Sequence, residues 1–240
     1  MGRAILPTTL VFCCPLPTGL AATQVAASID AVARATMSVT WAAAAEHLPL
    51  VVERQASVGG PVRIAVDVPV EIASSRQSLR RLLTAAAAAA PGIDAAVVRG
   101  SLPQDCRKTL VDAGIGVVLR DRLEPMSRGA RRPAPSGWPC RSMLWGLWEI
   151  AALDAGPPGI IDRLLRRTAE QPQSGGLTVV NLAGAGVPTA ASIRDRLERW
   201  QSWIRRQRAG TVELADLSSL PDLITGAARR PLAGSVLKAA

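Results

Sequence analysis

The residues that could carry chemistry fall at the ends of short apolar runs. In order they are Cys13, Cys14, Trp41, Asp67, Ser74, Ser75, Arg99, Arg120, Asp121, Glu149, Asn181 and Glu213. General acid–base work needs two carboxylates with different environments around one cleft, and Asp67, Glu149 and Glu213 are the catalytic candidates, with Asp121 a fourth carboxylate of the same kind. Each also reads as a helix cap or a loop ion pair. Arg99 and Arg120 would orient an anion, and Asn181 and Trp41 complete a ligand-binding set. The sequence holds one histidine, His47, which excludes any metal site or relay that needs two imidazoles from one chain. No GxGxxG, GxxxxGK[ST] or GxSxG pattern occurs, so the common nucleotide loops and the nucleophile elbow are absent. Gly184-Ala185-Gly186 could offer backbone N–H groups to an anion, or simply form a turn.

The chain has 28 Lys+Arg against 19 Asp+Glu, a formal charge of +9. Only Lys108 and Lys238 are lysines; the excess is arginine in an alanine-rich chain with one Phe and no Tyr, a compositional bias rather than a polyanion signature. Stacking-type nucleic-acid binders use surface Phe and Tyr, so the composition argues against that partner. The one concentrated stretch is 120–141, with arginines at 120, 122, 128, 131, 132 and 141 against Asp121 and Glu124, and four prolines that prevent helix or strand. Such a segment is either an arginine-lined lid for carboxylate or phosphate groups or a solvated basic tether that could meet an acidic partner. Cys13, Cys14, Cys106 and Cys140 show no CxxC spacing, which points to free thiols in a reducing, cytoplasmic setting. The apolar stretch after Arg3 is interrupted by Pro7, Pro15 and Pro17 and reads as a first buried strand rather than a signal peptide. No run reaches the ~18 apolar residues of a membrane span.

These residues need elements to position them. Short apolar or β-branched runs at 9–14, 37–41, 62–68, 93–98, 116–119, 144–150, 177–182 and 211–214 alternate with helical stretches at 21–35, 42–57, 75–90, 104–113, 159–171, 189–208 and 216–227. The stripe Ile193, Leu197, Trp200 and Ile204 marks one helix, and Leu79, Leu82, Leu83 and Ala86 another. Thr189 suits the start of the former. The pattern predicts an α/β fold: a single βα barrel of seven to eight parallel strands over 1–240, with 120–141 as a long Arg/Pro-rich loop inserted in it. An open doubly wound sheet satisfies the same periodicity, though closure removes both sheet edges. In either arrangement a ligand binds where strand C-termini meet the following loops.

Several segments resemble the polysaccharide deacetylase-like (NodB-homology) family. Met37-Ser38-Val39-Thr40-Trp41-Ala42 is similar to its second strand, and Glu71-Ile72-Ala73-Ser74-Ser75 to the stretch ending its third. Val98-Arg99-Gly100-Ser101-Leu102-Pro103, followed by Leu110-Val111-Asp112-Ala113-Gly114-Ile115, resembles its Arg-Pro motif, helix and strand entry. Leu144-Trp145-Gly146-Leu147-Trp148-Glu149-Ile150 resembles a strand of divergent bacterial members. The resemblance implies a distorted βα barrel and, in active members, a metal held by one Asp and two His, with an Asp base and a later His acid. By the same resemblance, Cys13-Cys14 stand at the Asp-Asp pair, Ser75 and Leu79 at the metal-binding histidines, and Asn181 at the late histidine. Serine, leucine and asparagine do not rebuild an open three-ligand site, so no metal and no cofactor is expected.

The leading expectation is a catalytically degenerate deacetylase-like protein, a binding or regulatory module for a small carbohydrate-derived or anionic ligand. The alternatives are a hydrolase working through the strand-end carboxylates and arginine without the metal, and a basic protein that contacts nucleic acid or an acidic partner. His47 is expected on a helix away from the site.

Overall fold

The computed structural model describes residues 7–35, 37–58, 63–120, 140–154, 176–183, 189–207 and 209–229. The expected helix at 159–171, most of the 120–141 loop and the 184–186 turn lie outside the described residues. β1 (Thr8–Leu16) is buried along its whole length, as a continuous apolar run in a parallel sheet should be. It is followed by β2 (Thr40–Ala43), β3 (Ile64–Val68), β4 (Ala95–Val98), β5 (Val117–Arg120), β6 (Cys140–Ser142), β7 (Trp148–Asp154), β8 (Leu177–Asn181) and β9 (Val212–Ala215). Parallel ladders run β1-β2-β3-β4-β5-β7-β8 and return to β1, so the expected barrel closes as a ring of seven parallel strands.

Two strands split their neighbours between partners. β1 pairs with β9 along residues 8–11 and with β2 along 13–16, while β7 pairs with antiparallel β6 along 148–150 and with β8 along 152–154. β9 is the eighth parallel strand; β6 is one the sequence patterning does not reveal. The run expected as a strand over 144–150 is instead a tight turn, Leu144–Gly146, followed by β7. Trp145 (φ 63°) and Gly146 (φ 81°) both take left-handed backbone there, which no strand can accommodate.

The outer layer is formed by α1 (Ala22–Arg34), α2 (Leu48–Ser57), α3 (Val70–Ala73), α4 (Arg76–Ala89), α5 (Gln104–Asp112) and α6 (Ala190–Arg206), while α7 (Leu220–Arg229) packs on the interior side. α4 starts on Ser75, whose hydroxyl accepts from the Ser78 N–H, and α6 on Thr189, whose hydroxyl accepts from the Ser192 N–H at 3.2 Å. α6 buries Ile193, Leu197, Trp200 and Trp203, the predicted stripe with Trp203 added, and Phe12 meets Trp200 edge-on at 5.4 Å. The helix expected over 42–57 begins only at Leu48, because 40–43 is strand and a turn intervenes.

Strand alternation sorts side chains into two cores. Leu10, Phe12, Cys14, Trp41, Val66, Val68, Val98, Val118 and Val180 face the helices. Val11, Cys13, Ala42, Ala65, Val97, Leu119, Ile150 and Val179 fill the interior together with Leu217, Leu220 and Ile224. The start of α7 therefore plugs the barrel interior from the end where the strands begin, a position secured by Leu217 N–H to the Thr40 hydroxyl and by the Arg63–Asp216 ion pair at the β3 entrance. The opposite end, where the strands finish, is the mouth.

Candidate binding site at the barrel mouth

Cys13, Asp67 and Asn181 share the inward phase of their strands near the mouth, with Cys13 in register with Asn181. Asp67 has a 3% exposed side chain, and its Oδ1 lies 3.4 Å from Nε of Arg99, the first residue after β4. Arg99 is 40% exposed, so its guanidinium reaches from a buried carboxylate outward to the mouth. Burial first, and then the Asp67 charge, push the Cys13 thiol up to about 12, with Arg99 acting in the opposite direction. Cys13 is thus a neutral thiol rather than a nucleophile at neutral pH.

The loop carrying Arg99 is braced from three sides. The Arg99 N–H donates to the Val68 carbonyl at 3.2 Å. Gly100 takes left-handed backbone (φ 72°), and a Cβ there would come 2.5 Å from Cγ2 of Val70, so glycine is required on both counts. Nη2 of Arg120 donates to the Gly100 carbonyl at 2.5 Å. Arg120 is itself 3% exposed. Asn181 orients by accepting the Ala183 N–H on its amide oxygen at 3.0 Å.

The remaining residues singled out in the sequence lie elsewhere. Glu149 is fully buried on the outward face of β7, where Arg141 donates to Oε2 and where Arg107 of α5 and Arg120 lie 3.3 and 3.8 Å from Oε1. Arg107, Arg120 and Arg141 each have further partners. Glu213 is exposed on β9 and aligned with Thr9, near the start of β1 and away from the mouth. Trp41 faces the helices, 1% exposed, and lines a cavity of about 320 Å³ with Ile29, Val39, Gln55 and Arg63 beside the entrance to β3. Asp67, Glu149 and Glu213 therefore do not share one face or end of the barrel; Asp67 pairs with Arg99, and Asn181 is the register partner of Cys13 at the same end. Sequence reasoning missed Arg107 and Arg141 as partners of Glu149, since the eight-residue spacing from Arg141 to Glu149 becomes a contact only through the hairpin register of β6 and β7.

The metal implied by the family resemblance does not fit these residues. A guanidinium occupies the neighbourhood of Asp67, Ser75 caps α4 and Leu79 is in the outer core. His47 sits in the turn before α2, at the mouth end of β2 rather than away from it, but its Nε2 is 3.1 Å from the Pro17 carbonyl and 3.4 Å from Glu46. Among the described residues no three His, Cys, Asp or Glu gather to hold an ion.

No family model matches the sequence, and no curated protein matches it. Solved structures do. A mutant of a CE4 family pseudoenzyme aligns with 91% of this chain and 69% of its own at 10% identity, with a TM-score of 0.50. A Bordetella bronchiseptica protein assigned to O-antigen biosynthesis as a polysaccharide deacetylase aligns over 90% of both chains at 12% identity and a TM-score of 0.48. A family 4 carbohydrate esterase from Streptomyces lividans covers 82% of this chain and 88% of its own at 13% identity and a TM-score of 0.40. At these identities the likeness is one of fold, and it rests on the first of the three: the chain is built on the polysaccharide deacetylase-like barrel.

Proposed function

We propose that this chain is a catalytically degenerate deacetylase-like barrel that binds a small carbohydrate-derived or anionic ligand at its mouth. Arg99 and Asn181 touch the ligand, and Asp67 is a positioning residue that holds Arg99. The observation that supports this reading is the Asp67–Arg99 pair near Cys13, the position that the family resemblance aligns with the Asp-Asp pair. With no Lewis acid to polarise an acetyl carbonyl and no activated water, binding remains while hydrolysis is lost. The four free thiols support residence in a reducing cytoplasm. No helix among the described residues is long and apolar enough to cross a membrane.

The test is zinc analysis of the purified protein combined with turnover of 4-nitrophenyl acetate. Substoichiometric zinc and a rate no higher than that of the Asp67→Asn variant are expected. Stoichiometric zinc accompanied by turnover overturns the reading.

A further inference from the structure

The mouth groups differ in what they can still offer a ligand. Asp67, the acceptor, is 3% exposed, its Oδ1 is in ion-pair range of Arg99 Nε at 3.4 Å, and it has a further partner. Asn181 has its amide oxygen turned to the Ala183 N–H, which leaves its NH2 as the available end. Arg99 engages Asp67 through Nε, so its two terminal nitrogens and their four N–H groups form the outer edge of the fork, at 40% exposure. Cys13 adds no charge. Among Cys13, Asp67, Arg99 and Asn181, the polar ends turned to a ligand are therefore the donors of Arg99 and Asn181, while the exposed carboxylate at this end, Glu46, accepts the Gly19 N–H.

A sugar hydroxyl both donates and accepts, and a guanidinium offers it donors alone; a carboxylate is acceptor-only and planar, and matches the guanidinium fork in two parallel bonds. We infer that the mouth is specific for a carboxylate-bearing ligand, an acidic sugar in size and polarity, anchored on the Nη atoms of Arg99. Asp67 sets both the aim and the charge. Its carboxylate neutralises the pair formally, so the site favours a monoanion over a phosphate dianion, which would face Asp67 with twice the charge. The hydrogen bonds that hold the Arg99 loop, from its own N–H to the Val68 carbonyl and from Arg120 to the Gly100 carbonyl, keep the fork in place before the ligand arrives, which lowers the ordering cost of binding.

This inference rests on the mouth being a ligand site. Calorimetric titration of the full chain with sodium glucuronate, glucose and glucose 1-phosphate separates the two. Glucuronate should bind, glucose should bind at least tenfold more weakly, and Arg99→Gln, titrated at a temperature where circular dichroism shows it folded, should weaken glucuronate by about tenfold or more. Arg99→Lys, which keeps the charge and loses the fork, should recover only part of the affinity. Equal binding of glucose and glucuronate overturns carboxylate recognition and keeps a sugar site; tighter glucose 1-phosphate overturns the preference for a monoanion. No binding of any of the three overturns both the inference and the reading beneath it.

Discussion

Arg141 and Glu149 are register partners across the β6–β7 ladder, and Nε of Arg141 donates to Oε2 of Glu149 at 2.8 Å with both side chains buried. The carboxylate sits on the face opposite Asp67, between the sheet and α5, and its other oxygen meets Arg107 and Arg120. This arrangement joins three segments: the β6–β7 hairpin, α5, and through Arg120 the Arg99 loop. Removing the one carboxylate leaves guanidinium groups buried around a neutral amide. Glu149→Gln should therefore lower unfolding stability by about 3–5 kcal/mol, read by urea denaturation. Combining it with Arg141→Met should cost less than the sum of the two single changes, because the partners act as one unit. A Glu149→Gln protein as stable as wild type would show that the cluster does not hold these elements together.

The sequence made the barrel legible because its strands are continuous apolar runs with helical stripes between them, as in 8–16 and 190–206. Alternation within those runs also carried more than was taken from it. Counting by twos from Ala65 places Asp67 inward, whereas Val118 and Glu149 are register partners on the outward face, so the two carboxylates could never share a cleft. What stayed hidden depends on contacts distant in sequence. Arg107, Arg120, Arg141 and Glu149 meet only once α5 lies on β5 and β7. The three-residue β6 is too short to show a period, and the Arg63–Asp216 pair spans most of the chain. Trp41 falls at a strand end, where a ligand-binding role is expected, but its phase turns it to the helices.

Alkaline pH should unfold this protein earlier than its carboxylates and arginines suggest. Burial, assisted at Cys13 by Asp67, raises the thiols of Cys13 and Cys140 from 9.0 to about 12. Above pH 9 the unfolded chain releases these protons while the folded chain keeps them, so the unfolded state gains stability as pH rises. Stability is full below pH 9 and falls through the window up to about 12, by about 1.4 kcal/mol per pH unit for each thiol. Burial raises Cys14 and Cys106 as well and adds to the same decline, whereas the chain has no Tyr and two Lys to titrate there. Urea midpoints taken from pH 8 to pH 10.5 should decline, and Cys13→Ala with Cys140→Ala should flatten the decline. An unchanged slope in the double variant would remove Cys13 and Cys140 as its cause.

Gly100→Ala tests the brace on the Arg99 loop. The added methyl meets Val70 at 2.5 Å and must take a φ of 72°, so the loop shifts or Val70 gives way. A loss of about 1–2 kcal/mol is expected from the backbone alone. The shift should also displace the Arg99 fork, weakening glucuronate binding more than Val70→Ala does, since Val70 is 49% exposed and its truncation relieves the contact. Gly100→Ala combined with Val70→Ala should recover part of the binding. Equal affinity in Gly100→Ala and wild type would show that the loop does not aim Arg99.

Trp200→Ala tests how far the outer core supports the mouth. Trp200 is 2% exposed and packs edge-on against Phe12 at 5.4 Å and Trp203 at 5.6 Å. Its truncation should cost about 3–5 kcal/mol. Phe12 and Cys13 are consecutive on β1 and point to opposite faces, so loosening the helix side frees the strand that carries Cys13 and Cys14. Labelling by 5,5′-dithiobis(2-nitrobenzoate) should be slow for these thiols in wild type, since both are buried, and faster in Trp200→Ala at urea concentrations well below its unfolding midpoint. Leu220→Ala, which disturbs the interior plug at the other end of the barrel, supplies the contrast: it should be destabilising while exposing Cys13 less below its own midpoint. If both variants label only as they unfold globally, β1 opens with the barrel as a whole and α6 gives the mouth no separate support.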